Sequence, residues 1–279
     1  MMLKWRGFFL LSRPVNVLIA MASIFIGAFI SGSIEPLTKL LMACFAGGLI
    51  TAAANAINDF FDVEIDVINK PERPLPKGMV TPRAAFSFSM ILFLTGISVS
   101  FFVNFAAYII AGVFSLLLYF YSAYLKRTVL FGNITVSLAT AFAFIFGGIA
   151  VGRFQQSLIP AGFAFLMHLG REIIKDMEDV KGDLANNART LPVVFGFSAA
   201  RWVVTIVFSL LIVATLMPKI YSIYGNWYFL IVMLGVNSVL VLTISALWQK
   251  GEKTNLRLLS ALLKVDMVVG LAAIYAGKW

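Results

Sequence analysis

The side chains that suit this chain to chemistry are carboxylates, and they fall in two clusters. Ten of the 13 acidic residues are Asp59, Asp62, Glu64, Asp66 and Glu72, then Glu172, Asp176, Glu178, Asp179 and Asp183. In the first cluster Asn58, Asp62 and Asp66 are spaced four residues apart. On a helix that spacing puts all three on one face, each about a turn from the next. In the second, Asp176, Asp179 and Asp183 share a face at i, i+3 and i+7. Each cluster closes an apolar run, where carboxylates are costly unless they pair or hold a metal. Magnesium takes oxygen ligands, commonly one or two carboxylates plus substrate phosphate. Two facing carboxylate sets therefore suit Mg2+ ions bridging to a diphosphate. Arg73, Lys126, Arg171 and Lys175 are the cations at hand to neutralise the remaining charge.

The elements that must position these groups are membrane helices. Hydrophobic residues make up 61% of the chain, at a mean hydropathy of +0.93, against roughly 45–50% in soluble domains. Apolar runs of spanning length recur at 15–33, 38–58, 84–103, 106–124, 132–152, 158–174, 199–218, 227–248 and 258–277. The chain reads as an all-α, polytopic membrane protein, one domain over 1–279 with nine helices in a bundle. The net charge of +9 has an explanation other than nucleic acid. Of the 22 lysines and arginines, seventeen fall in the N-terminal segment and the even-numbered connections. Four (Lys39, Arg153, Lys219 and Lys278) fall on the other side, and Lys264 lies within the last run. That bias predicts a cytoplasmic N-terminus. It also puts both acidic clusters on the cytoplasmic side, in a cell membrane.

The connection after the first cluster, Asn69 to Gly78, carries Pro71, Pro74 and Pro76. Proline fixes φ and lowers the entropy lost on ordering a loop. Such a loop suits a cap that holds Arg73 and Lys77 above the carboxylates.

Asn58-Asp59-Phe60-Phe61-Asp62-Val63-Glu64-Ile65-Asp66 resembles the N-D-x-x-D-x-x-x-D signature of the UbiA-type intramembrane prenyltransferases. Asp176-Met177-Glu178-Asp179-Val180-Lys181-Gly182-Asp183 is similar to their second aspartate motif. The resemblance covers essentially the whole chain. It implies nine helices around a central cavity, Mg2+ as cofactor, and a prenyl diphosphate in a lipid-facing tunnel. Carried over residue by residue, it implies Asn58, Asp62, Asp66, Asp179 and Asp183 as metal ligands, and Asp62, Asp66, Asp176, Asp179 and Lys126 in catalysis. The family's Tyr-x-x-x-Lys element is matched by Tyr121 and Lys126 with one extra residue between them. The strings Arg13-Pro14-Val15-Asn16, Asn69 to Gly78 and Gly170 to Asp183 are similar to those of the family's archaeal ether-lipid branch. That branch transfers geranylgeranyl to the hydroxyl of geranylgeranylglyceryl phosphate. Such an anionic, lipid-like acceptor is expected to use basic or polar groups among Arg13, Asn16, Lys77, Arg171 and Lys175, beside Arg73, Tyr121 and Lys126.

Two other functions compete. One is prenylation of an aromatic acceptor, a quinone, chlorophyll or tocopherol precursor. The other is divalent-cation transport, which calls for acids near the bilayer midplane. The acids here gather at one membrane face, apart from Glu35 on the other side and Asp266 in the last run. Cys44 and His168, each the only residue of its type, read as core packing. Gly147, Gly148 and Gly152 read as a close helix contact, and Phe142, Phe144 and Phe146 as candidates for a tunnel wall.

Overall fold

The computed structural model describes residues 2–278, with side chains for all of these except 2–4 and 252. The side chains of Lys4 and Glu252 thus lie outside the described residues. Among the described residues the fold is helical throughout. A short α1 (Met2–Ser12) meets α2 (Pro14–Ile30) at a 45° bend. Then follow α3 (Leu37–Phe61), the short α4 (Val63–Asn69), α5 (Pro82–Val103), α6 (Phe105–Ala123), α7 (Phe131–Ala150), α8 (Leu158–Ala185), α9 (Leu191–Ile220), α10 (Asn226–Lys250) and α11 (Leu256–Ala276). Eight of these are long and apolar enough to span a membrane individually, and α1 with α2 passes as a bent pair, giving nine.

Local signals set the ends. Pro14, Pro82 and Pro192 stand in the first turns of α2, α5 and α9, where a missing N–H costs nothing. Thr81 and Asn104 cap α5 and α6 by accepting from the Ala84 and Ala107 amides. Two boundaries differ from the hydropathy reading. Helix α8 continues through the polar second cluster to Ala185, and α9 begins at Leu191, ahead of a kink at Gly196 (φ 82°). Hydropathy marks where the membrane ends, and both helices outrun it.

Three apolar cores hold the bundle. One joins α2, α3, α5, α6 and α7, a second joins α8 to α11, and a third, with Tyr228, Phe144 and Ile274, ties the halves together. Lys278 closes the ring by donating from Nζ to the Ile30 carbonyl at 3.1 Å. A fourth, smaller core of Leu11, Ala56, Leu75, Val80 and Ala85 pins the proline-rich connection onto α1, α3 and α5.

Helices α2 and α7 cross in close backbone contact. A Cβ on Gly147 would stand 1.8 Å from the Ile24 carbonyl oxygen, and one on Gly27 2.0 Å from that of Phe144. The glycine contact therefore pairs Gly147 with Gly27. Gly152 serves instead in a turn at φ 76°, and Gly148 packs on the Arg153 backbone that follows it. Gly147→Val should destabilise the fold by about 3 kcal/mol or more, the upper end for overpacking. Gly112→Val, where nothing lies within 4 Å, should leave the thermal midpoint almost unchanged. Thermal unfolding of the two variants in one detergent checks the contrast.

Candidate active site

The ends of α3 and α8 meet over a single cleft of about 750 Å³, part of it open solvent. Asn58, Asp62 and Asp66 line it from one side, and Asp176, Asp179 and Asp183 from the other. The first three do not share one unbroken helix. Asp62 ends α3 at φ −94°, ψ 1°, and α4 resumes at Val63. The break leaves all three side chains on the cleft.

Each aspartate lining the cleft is held by a side chain from another segment. Asp62 pairs with Lys126 Nζ at 2.5 Å and accepts from Asn58 Nδ2 at 2.8 Å. The turn carrying Lys126 lies directly on the start of α7, where a Cβ on Gly132 would stand 2.6 Å from Lys126 Cα. Burial pulls the Lys126 ammonium below its ordinary pKa, against the pull of Asp62. Asp66 pairs with Arg73 Nη1 at 2.6 Å, and burial nonetheless raises its carboxyl to about 6. Asp59, only 3% exposed, pairs with Arg13 and, at 3.1 Å, with Arg73. Arg13 reaches it from the α1–α2 bend, where its own φ is 49°. Asn55 secures that bend by donating to the Ser12 carbonyl at 3.0 Å. On the far wall Asn133 donates to Asp176 at 2.8 Å, Lys70 to Asp179 at 2.6 Å and Thr190 to Asp183 at 3.0 Å. Glu172 holds Lys175 at 2.6 Å and Arg171 at 3.0 Å.

Lys70 and Asn69, just past the first motif, both reach the second, Asn69 Nδ2 donating to the Asp179 carbonyl at 3.4 Å. Gly182 makes that closeness possible, since a Cβ there would stand 2.2 Å from the Asn69 side chain. Lys70, Asn133 and Thr190 were not picked out from the sequence. Lys70, next to Arg73 in the same polar connection, carried a signal. Asn133 and Thr190 carried none, being single polar residues whose partners lie on another helix or a turn away.

Most of the expected site residues converge. Arg13, Arg73, Tyr121, Lys126 and Lys175 line the cleft with the six oxygen donors, and Lys77, Arg171 and Asn16 do not. Lys77 is exposed at the loop's outer edge, because Leu75 and Val80 turn the other face of that loop inward. Arg171 points toward α11, donating from Nε to the Ser260 carbonyl at 3.2 Å. Asn16 is half-buried on the first turn of α2.

The charges of the lining balance. Its acids are Asp62, Asp66, Glu172, Asp176, Asp179 and Asp183, and its bases Arg13, Lys70, Arg73, Lys126, Arg127 and Lys175, six of each. Such a wall suits a ligand that carries both signs, a cation for the carboxylates and phosphate oxygens for the bases. Among the described residues no group of three acidic, His or Cys side chains is already gathered tightly enough to hold a metal ion. The donors facing the cleft are all oxygen, the set a hard divalent cation takes.

Beneath the cleft lies an apolar cavity of about 630 Å³, part of it open solvent. One face of α8 lines both spaces: Pro160, Ala164, Met167 and His168 below, and Glu172, Asp176, Asp179 and Asp183 above. Phe144 is in the cavity wall, whereas Phe142 packs against Phe114 with ring centroids 4.5 Å apart and tilted, and Phe146 packs in the first core. His168 opens onto the cavity, and its Nδ1 has no hydrogen-bond partner among the described residues.

A polar, doubly acidic cleft over an apolar chamber, inside a ring of membrane helices, is the architecture of an intramembrane transferase of lipid-linked diphosphates. The chain belongs to the UbiA prenyltransferase family, which residues 20–265 match. It is a prenyltransferase and a multi-pass membrane protein. It is 35% identical over 275 residues to the digeranylgeranylglyceryl phosphate synthase of Methanopyrus kandleri, covering 97% of this chain and 98% of that one. To the protein of the same name from Methanothermobacter thermautotrophicus it is 36% identical, covering 95% and 94%. A solved structure described in connection with digeranylgeranylglyceryl phosphate synthase in membranes superposes with a TM-score of 0.78 at 33% identity, covering 98% of both chains. A UbiA homologue from Archaeoglobus fulgidus bound to DMAPP and Mg2+ shares the fold, with a TM-score of 0.73 at 17% identity over 96% of this chain and 99% of that one.

Proposed function

We propose that this protein transfers a geranylgeranyl group from its diphosphate to the free hydroxyl of geranylgeranylglyceryl phosphate, with Mg2+ as cofactor. The observation that carries the reading is the stacking of the charge-balanced cleft on the apolar cavity along one face of α8. That arrangement suits an amphiphile with a diphosphate head and a long hydrocarbon tail. The choice of a glyceryl phosphate acceptor over an aromatic one rests on the relatives named digeranylgeranylglyceryl phosphate synthase at 35% and 36% identity.

Asn58, Asp62, Asp66, Asp179 and Asp183 would hold the Mg2+, and Asp176 supports them. When bound, the metal stabilises diphosphate as a leaving group by acting as a Lewis acid. Lys126, Arg73 and Lys175 bind the phosphate oxygens, and Tyr121 borders them. As the allylic C–O bond breaks, these fixed charges stabilise the negative charge that builds on the diphosphate. The cavity wall holds the prenyl chain and keeps water from its electrophilic carbon. We further infer that the cleft and the N-terminus face the cytoplasm, from the seventeen-to-four distribution of lysine and arginine.

Product analysis by mass spectrometry tests the reaction. Purified enzyme given geranylgeranyl diphosphate, Mg2+, the glyceryl phosphate and an aromatic precursor should form the diether phosphate and leave the aromatic unmodified. Prenylation of the aromatic alone would overturn the reading.

A further inference from the structure

Asp266 on α11 is a buried carboxyl that the diphosphate chemistry leaves unused. It is 2% exposed and lines the apolar cavity, and neither of its oxygens has a hydrogen-bond partner among the described residues. The hydroxyls around it are already committed. Ser23 donates to the Ile19 carbonyl, Thr140 to that of Val136, and Tyr228 to that of Thr215. Among the described side chains lining the cavity, the buried polar atoms left without a partner are the two Asp266 oxygens and His168 Nδ1. An unpaired acid inside a membrane bundle is costly, and such residues are kept where they do work on a ligand.

Its depth says which ligand. Arg171 of α8 meets Ser260 of α11 at the cleft end, and from there the two helices descend in opposite chain directions. His168 lies three residues below Arg171 and Asp266 six residues past Ser260. At about 1.5 Å per residue the two are within one helical turn of each other in depth. Each is the residue of its helix that lines the cavity closest to the cleft. They therefore flank the cleft-facing end of the cavity, its neck. A prenyl diphosphate with its head in the cleft and its tail in the cavity has its reacting carbon at that neck.

We propose that the neck is the acceptor-hydroxyl subsite, with Asp266 as the proton acceptor and His168 facing the same hydroxyl. This rests on the reading that the acceptor is an alcohol. A lone pair of the hydroxyl oxygen forms the new C–O bond to the allylic carbon. The bond from that carbon to the diphosphate breaks, and its electron pair leaves on the diphosphate. The hydroxyl proton passes to Asp266 and returns to solvent through the cleft when the product departs. The polar pair is thus required at a depth where a plain hydrocarbon tunnel would need none.

The test compares wild type, Asp266→Asn and Asp266→Leu as full chains in nanodiscs, with three readouts. Transfer of geranylgeranyl to the glyceryl phosphate should fall in kcat by about 10²-fold or more, the contribution of a positioned proton acceptor. Mg2+-dependent binding of a non-reactive geranylgeranyl thiodiphosphate should stay within about twofold, because Asp266 lies below the cleft. The thermal midpoint should hold or rise, because an unpaired buried acid has been removed. Wild-type rates in both variants overturn the proposal, and so does a loss of transfer that merely tracks a loss of diphosphate binding or of stability. A wild-type enzyme that alkylates no glyceryl phosphate overturns the functional reading and this proposal together. An active wild type with equally active variants overturns this proposal alone.

Discussion

Asp179→Ala and Asp62→Asn should each lower prenyl transfer by about 10³-fold or more while leaving a folded protein. The argument joins position to chemistry. Both side chains line the cleft, one from each motif, and both are proposed ligands of the metal that steadies the departing diphosphate. A metal acting on a leaving group supplies several kcal/mol of transition-state stabilisation, and about 4 kcal/mol is a factor of 10³. The fold survives because the partners have somewhere to go. Lys70, whose side chain is 23% exposed, can turn to water when Asp179 is gone. Asparagine at 62 keeps a hydrogen-bonding oxygen beside Lys126 and Asn58. Single-turnover assays beside circular dichroism check both halves. Near-normal turnover in either variant contradicts the assignment.

Arg73→Met should instead act on the fold. The guanidinium serves two carboxylates at once, Asp59 at 3.1 Å and Asp66 at 2.6 Å, whose side chains are 3% and 4% exposed. Removing it leaves Asp66 buried without a cation and Asp59 with Arg13 alone. Breaking a buried pair from one side typically costs about 3–5 kcal/mol. A second substitution, Asp66→Asn, removes the stranded charge and should recover much of the lost stability without recovering activity. Arg73→Lys keeps the charge but loses the fork that reaches both acids, so it should fall between. Thermal unfolding of the three variants orders them. A midpoint for Arg73→Met equal to wild type would mean that the loop's apolar contacts at Leu75 and Val80 suffice without the ion pairs.

Much of this molecule was legible before any coordinates. Apolar runs near bilayer length located the long helices, because hydrocarbon demands about 20 apolar residues per crossing. The four-residue spacing of Asn58, Asp62 and Asp66 pointed all three to one place, even though the helix breaks at Asp62. What hydropathy missed was helix beyond the apolar stretch, as where α8 runs through Arg171–Asp183 to Ala185. The site partners were missed for another reason. Lys70 to Asp179 and Asn133 to Asp176 are separated by 109 and 43 residues, and only packing brings them together. Two of the expected basic residues do not line the cleft. Lys77 and Arg171 stand close in sequence to cleft residues, but their turns of loop and helix face outward or toward α11. Asp266 and His168 were readable as residues, yet their shared chamber required α8 and α11 to be set side by side.

The central claim is that both aspartate motifs grip one ligand. A double-mutant cycle on Mg2+-dependent binding of geranylgeranyl thiodiphosphate tests it most directly, using Asp62→Asn, Asp179→Asn and the double variant in calorimetry. If the two carboxylates hold the same metal–diphosphate, each single change should remove most of the affinity and the double variant should bind little worse, a coupling of about 1 kcal/mol or more. Losses that simply add, or single variants that bind like wild type, would mean that the motifs do not share a ligand.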